Sequence, residues 1–393
     1  MVDLSNAVVL GGGNTGLTTA LYIKKIYPES NITVAASSKI GTIGVGEGTT
    51  PNFLELLKFL GFDESTLFSK LKATKKTGIY FDGWNRDSNE GYFHNFIDFD
   101  VNEGYAMHFD TNACTSFLKE EAIKRGIKFK DCNYVKHLQI DNKIHTILTD
   151  KGDIECSFLF DCSGLSRLII GKHPENKWIS YGKHLKVNKA VTFSLPVSNN
   201  EYTYARAGKY GWMFEIPTQD RTGGGYLYNR KYIDEQEAIE EVLDEYPMAE
   251  IGKQIEFKAG SYNKVYIGNC LAVGLSIGFL EPLEATSLMT VAHQLKMWNK
   301  DISHDKYNQL IRDLNKENML FIYYHYMGRR DDTEFWRDYQ KNIPSELKVI
   351  LDSNNRVEVK KTDEWKAFKD RLQAFNWYSW SIISNGISGK KLT

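Results

Sequence analysis

Ala7-Val8-Val9-Leu10-Gly11-Gly12-Gly13-Asn14-Thr15-Gly16 decides the fold. Its first four residues form a short apolar run of the kind found in a buried parallel strand. The glycines that follow fit G-x-G-x-x-G. Residues 17–27 then read as a helix stopped by Pro28, and residues 32–35 as a second strand, which completes a βαβ unit. Glycines permit a tight turn and close backbone approach, and the helix N-terminus offers N–H groups and a positive dipole to a pyrophosphate. Gly11, Gly13, Asn14, Thr15 and Gly16 are therefore expected to bind a dinucleotide.

The acid that usually closes the second strand and holds a ribose is missing. Ala35-Ala36-Ser37-Ser38-Lys39 stands there, so a serine hydroxyl, Ser37, is the expected substitute. Two later strand ends carry glycines as well. Phe158-Leu159-Phe160-Asp161-Cys162-Ser163-Gly164 is one, and Gly274-Leu275-Ser276-Ile277-Gly278-Phe279 follows another. Three separated glycine-rich strand ends suit an extended flavin better than a nicotinamide cofactor. Asp161, Gly164, Gly274 and Leu275 join the expected cofactor site.

Outward from these segments, the chain is that of an ordinary globular protein. It has 393 residues, 42% apolar and 25% charged, enough for a sizeable core and not for disorder or a coiled coil. Lys plus Arg number 49 and Asp plus Glu 50, a net charge of −1, which leaves no footprint for nucleic acid or anionic lipid. No apolar run is long enough to span a membrane and the N-terminus does not read as a signal peptide. The five cysteines, scattered and without C-x-x-C, read as reduced thiols. A cytoplasmic enzyme without metal is the expectation.

Further segments appear in a telling order. They are Ile43-Gly44-Val45-Gly46-Glu47-Gly48-Thr49-Thr50-Pro51, Ala73-Thr74-Lys75-Lys76-Thr77-Gly78-Ile79, Met107-His108-Phe109-Asp110, Trp212-Met213-Phe214-Glu215-Ile216-Pro217 and Gly278-Phe279-Leu280-Glu281-Pro282-Leu283-Glu284-Ala285-Thr286-Ser287. His325-Tyr326 and Arg329-Arg330-Asp331-Asp332-Thr333-Glu334-Phe335-Trp336 close the series. From residue 7 to about 336 the chain resembles the flavin-dependent tryptophan halogenase family. It departs at Phe214, where the family has a second Trp, and at Ala285, where it has Ser. It is also shorter in the C-terminal region that helps build the substrate site.

The resemblance implies an α/β fold, with a Rossmann-like FAD-binding domain and a helical C-terminal region. The domains are expected at 1–300, discontinuous, and 301–393. It implies reduced FAD from a separate flavin reductase, O2 and a halide ion, which yield hypohalous acid. A lysine, here Lys76 and not Lys75, passes the oxidant to an indole, phenol or other electron-rich arene. Glu284 is the implied catalytic carboxylate, and Gly46 and Glu47 join the cofactor site. The backbone N–H groups of Thr286 and Ser287 are candidates for the halide. His94 and Phe96 are implied to stack on the substrate, with Trp212 and Phe214 as bulk that keeps it off the flavin. An adjacent Lys75 would lower the Lys76 pKa if it lay close. Phe375, Trp377, Tyr378 and Trp380 suggest packing, pocket closure or an oligomer contact. The rival enzyme reading is a hydroxylating flavin monooxygenase, which would not need both Lys76 and Glu284.

Overall fold

The computed structural model describes residues 2–41, 46–85, 91–96, 104–328, 330–347 and 374–388. Residues 43–45 of the second glycine segment and Arg329 of the late signature lie outside them, as does the side chain of Trp377.

The quoted opening stretch forms the expected unit. Strand Ala7–Leu10 is fully buried and pairs in parallel with Ile32–Ala36 on one side and with Phe158–Asp161 on the other. The sheet continues in parallel to Lys128–Asp131 and Cys270–Ala272, with Tyr266–Ile267 as an antiparallel edge. All three glycine-rich segments thus follow strands of one sheet, at its carboxyl edge, where α/β folds bind ligands. The first helix runs Asn14–Ile26 and so starts three residues before the expected position. The G-x-x-G turn feeds directly into it.

A seven-stranded sheet makes the second layer. Its order is Glu250–Glu256, Lys189–Leu195, Thr222–Tyr228, Gly211–Pro217, Thr203–Ala207, Gly78–Asp82 and Tyr92–Asn95. Between the layers a small sheet joins Glu47–Gly48, Ala106–Phe109 and Thr74–Lys76. In it Gly48 and Thr74 flank His108 from opposite sides, and Lys76 pairs with Ala106.

From Thr286 onward the chain is helical among the described residues, as expected. Helix Thr286–Met297 is followed by His304–His325, whose C-terminal half is almost wholly buried, and by Glu334–Tyr339 and Trp377–Ile387. The last brings Phe375 and Trp380 inward. Phe375 stacks on Phe321 at 3.7 Å, and Trp380 meets Phe321 edge-on at 4.9 Å. Phe375 and Trp380 thus pack on helix His304–His325. No helix of the described residues is long and apolar enough to cross a membrane.

Candidate active site

At the first glycine turn, Gly11 (φ +124°) and Gly16 are fixed by packing. A Cβ on Gly11 would lie 2.3 Å from the Cys162 carbonyl oxygen, and one on Gly16 would lie 2.0 Å from the Gly11 carbonyl oxygen. Gly13 differs, because a Cβ there would meet nothing within 4 Å. It precedes a 13-residue helix with no side-chain cap and no acid in its first turn. Open space before uncapped N–H groups fits a pyrophosphate. Gly274 brings the third segment against this turn, since a Cβ there would clash with the Thr15 side chain at 2.7 Å. Asn14 holds the turn from behind, accepting a hydrogen bond from Thr115.

One cofactor expectation needs correction. The Asp161 carboxylate is fully buried and is filled by its own loop, accepting from Ser163 N and Oγ and from the Ile169 and Ile170 N–H groups. It shapes the loop that begins at Gly164 rather than facing a ligand. At the second strand's end, the Ser37 hydroxyl accepts a long hydrogen bond from Lys39 N, at 3.4 Å, and makes no other among the described residues. Its neighbour Ser38 is bonded through N and Oγ to Asp131, at 2.8 and 2.9 Å. Asp131 ends the adjacent parallel strand, in register with Ala36. A carboxylate thus stands beside the second strand's end, but on the neighbouring strand, where it holds Ser38. Only the register, which links residues 95 apart, could have signalled it.

Between the two layers lies a cavity of about 160 Å³. Its wall includes Gly46, Glu47, Lys76, Phe214, Leu275 and Ser287, six residues brought together from five segments. Apolar side chains such as Ile216, Leu227 and Phe257 line the rest, which suits a flat ring system. Glu47 is half-buried by area, yet its carboxyl sits deep enough for lost hydration to push its pKa up to about 7. Trp212 lies behind Phe214, buried against Trp84 at 6.2 Å. Its indole N–H reaches Glu281 at 3.5 Å. Phe214, not Trp212, faces the cavity.

Lys76 is completely buried, and among the described residues Nζ has no hydrogen-bond partner. It sits 5.3 Å over the Phe96 ring. Burial drives its pKa down to about 7, against the opposing charge of Glu284. Lys75 makes no contribution to that shift, because strand alternation turns it outward over Tyr105. Gly48 leaves room beside the amine, since a Cβ there would stand 3.4 Å from Nζ and 3.3 Å from Thr203 Oγ1. His108, bonded to Thr203 at 2.9 Å, is held neutral by burial and by Lys76.

Glu284 is 1% exposed and lies in a turn that ends at Ala285 in the left-handed region (φ +54°). His94 Nδ1 approaches both carboxylate oxygens, at 3.0 and 2.9 Å, and His325 Nε2 approaches Oε1 at 2.8 Å. Burial opposes the charge, but the two histidines prevail and hold the carboxyl down at about 2. His94 thus has a polar partner besides its aromatic neighbours Phe96, Phe321 and Phe375. The sequence carries His325 in the late motif and His94 as a stacking residue, but no signal in it pairs either with Glu284. After Ala285, Thr286 and Ser287 open a 12-residue helix with no side-chain cap, so their N–H groups can take an anion. Among the described residues no cluster of His, Cys, Asp and Glu could hold a metal ion.

Comparison with known proteins finds relatives along most of the chain. The family model described as tryptophan halogenase matches residues 6–103 and 98–389. The 7-chloro-L-tryptophan 6-halogenase of Kutzneria sp. (strain 744) is 28% identical over 84% of this chain and 81% of its own. A tryptophan 7-halogenase of Lentzea aerocolonigenes is 27% identical over 85% and 78%. Among solved structures, a flavin-dependent halogenase of Xanthomonas campestris superposes with a TM-score of 0.85 at 25% identity, covering 98% of this chain and 89% of its own. A tryptophan 6-halogenase of Streptomyces toxytricini, at 24% identity, shares the fold with a TM-score of 0.87, covering 98% and 91%.

Proposed function

The chain belongs to the tryptophan halogenase family, and from that premise we propose that it uses hypohalous acid at Lys76 to halogenate an electron-rich arene such as an indole or phenol. It is an oxidoreductase of the flavin-dependent halogenase type. The observation that carries the proposal is Lys76 itself, a buried and unpartnered amine in the wall of the cavity between the two layers. A structural lysine does not adopt this state without need, because an unpaired buried ammonium is costly.

Gly11, Gly13 and Gly16 would hold the FAD pyrophosphate, and Gly46, Glu47 and Leu275 would border its ring. Bound in reduced form, supplied by a separate flavin reductase, the cofactor provides the electrons with which O2 converts halide to hypohalous acid. The chain's own residues do the rest. Thr286 and Ser287 present N–H groups to the halide at the start of their helix. Phe214 occupies the space through which an arene would reach the flavin. The Lys76 ammonium donates to the oxygen of hypohalous acid and polarises the halogen toward the ring. The arene forms a carbon–halogen bond as the oxygen–halogen bond breaks, the oxygen takes the Lys76 proton and leaves as water, and the ring proton passes to Glu284, which is held as a base and returns it to Lys76.

A mass-spectrometric screen tests this. An arene panel is incubated with the protein, FAD, a flavin reductase, O2 and each of chloride, bromide and iodide in turn. Products in which one halogen replaces one hydrogen support the proposal. Products that gain one oxygen overturn it in favour of hydroxylation.

A further inference from the structure

The proposed function uses Glu284, but Glu284 does not stand alone. Behind it runs a buried chain of polar groups that the mechanism leaves unused. His325 Nε2 lies 2.8 Å from Glu284 Oε1, and His325 Nδ1 lies 2.9 Å from the Tyr92 hydroxyl. His325 is completely buried. Phe81 stacks on its ring at 4.5 Å, with Phe321 edge-on at 5.5 Å and Trp84 at 6.1 Å. These rings flank the imidazole on three sides.

The polarity of the chain follows from the atoms. A neutral imidazole carries one N–H. With the proton on Nε2, the ring nitrogen that stands 2.8 Å from the carboxylate, Nδ1 is left to accept from the Tyr92 O–H. Burial lowers the His325 pKa and so favours the neutral ring that this arrangement needs. Burial and the Glu284 charge push the Tyr92 hydroxyl well above its ordinary range, so it remains a donor. The Tyr92 hydroxyl then donates to His325, whose own proton lies on the Glu284 side of the ring.

We propose that His325, backed by Tyr92, is a positioning residue for Glu284, fixing its Oε1 edge so that the carboxylate meets the oxidant and the arene as an oriented anion. The inference rests on the halogenation reading above. In that reaction the arene gains a carbon–halogen bond and loses a C–H bond. The electron pair of the C–H bond returns to the ring and the proton goes to a Glu284 oxygen. An oriented, ionised carboxylate is what that transfer requires.

The titratable groups around Glu284 come from three elements. His94 and Tyr92 lie on strand Tyr92–Asn95, His325 lies on helix His304–His325, and Lys76 lies on strand Thr74–Lys76. Tyr324 faces Tyr92 from the same helix as His325. Glu281, in the same turn, is bonded instead to Trp212 and Tyr326. His94 remains as the second partner when His325 is removed, so the carboxylate is loosened rather than abandoned.

The test compares wild type with His325→Phe, His325→Gln and Tyr92→Phe. For each, arene halogenation is measured across pH, beside oxidation of reduced flavin and capture of hypohalous acid by a scavenger. His325→Phe is expected to lose ~10²-fold in halogenation, a value within the usual range for acid–base groups. Without His325 the Glu284 pKa rises, so the acid limb of its pH profile moves to higher pH. His325→Gln, which keeps a donor, restores much of the rate, and Tyr92→Phe moves the limb less. Flavin oxidation and hypohalous acid formation stay unchanged. Should His325→Phe fail to fold, the other two variants read the same limb. Wild type that halogenates with a limb unmoved in every variant overturns this inference alone. Wild type that forms hypohalous acid but halogenates no arene overturns the reading beneath it.

Discussion

Lys75 and Lys76 are neighbours in the chain and opposites in environment. Lys75 is exposed over the Tyr105 ring, while Lys76 is fully buried with no hydrogen-bond partner for its amine. One step along a strand reverses the face, so adjacent lysines in the segment Thr74–Lys76 cannot share a site. The buried one lies in the cavity wall and feels Glu284, and the exposed one does neither.

Burying an unpartnered amine costs several kcal/mol. Lys76→Met fills a similar volume without a charge, so it should be more stable than wild type and inactive in halogenation. Sign follows from the depressed pKa. The folded protein binds the lysine proton less well than the unfolded chain, so the gain is largest below about pH 7 and shrinks as pH rises toward the ordinary lysine value. Thermal midpoints of both proteins across pH check it. A lower midpoint for Lys76→Met would mean that the amine has a stabilising partner.

The same pKa sets a limit on turnover. If the ammonium is the form that polarises hypohalous acid, arene halogenation falls as pH rises through about 7. Oxidation of reduced flavin needs no lysine and should show no such limb. A pH profile of product formation beside one of flavin oxidation separates the two.

Cofactor binding divides between Gly13 and Asp131. Gly13→Val places a branched side chain in the open space before the first helix, where nothing of the protein now stands. It should weaken FAD and FMN alike by at least ~10-fold, since close backbone approach to phosphate is lost. If Asp131 supplies the missing ribose acid, Asp131→Ala weakens FAD and leaves FMN untouched. Flavin fluorescence titration gives both numbers, and equal losses for the two flavins in Asp131→Ala would remove Asp131 from the site.

How far the sequence could be read depends on the range over which each feature is encoded. The glycine turn, the flanking strands and the helix are local, and residues 7–36 carry them almost complete. The lysine segment is local too, but which lysine is buried follows from strand alternation within the small three-stranded sheet. The Glu284 cluster is not local at all. Its partners lie 190 residues upstream at His94 and 41 downstream at His325, and no spacing rule joins them. Asp161 shows the opposite failure. Its motif stands at the end of the right strand, but the carboxylate turns back into its own loop, a choice that only three-dimensional packing reveals.

Glu284→Gln keeps the size of the side chain and loses the charge and the base. A loss of ~10²–10⁴-fold in arene halogenation is expected for an acid–base role. The burst of flavin oxidation should be unaffected. Stopped-flow absorbance for the flavin, with product yield from the same samples, reads both. Full product yield would make Glu284 structural.

The central claim is that the oxidant made on the flavin side is used only at Lys76. One measurement tests it most directly. Lys76→Ala and Lys75→Ala are each run to completion on a fixed amount of reduced FAD, and halogenated arene is counted against hypohalous acid trapped by a scavenger. The account predicts that Lys76→Ala gives trapped hypohalous acid and no product, while Lys75→Ala gives product as wild type does. Equal losses of product in the two variants, or product from Lys76→Ala, would contradict it.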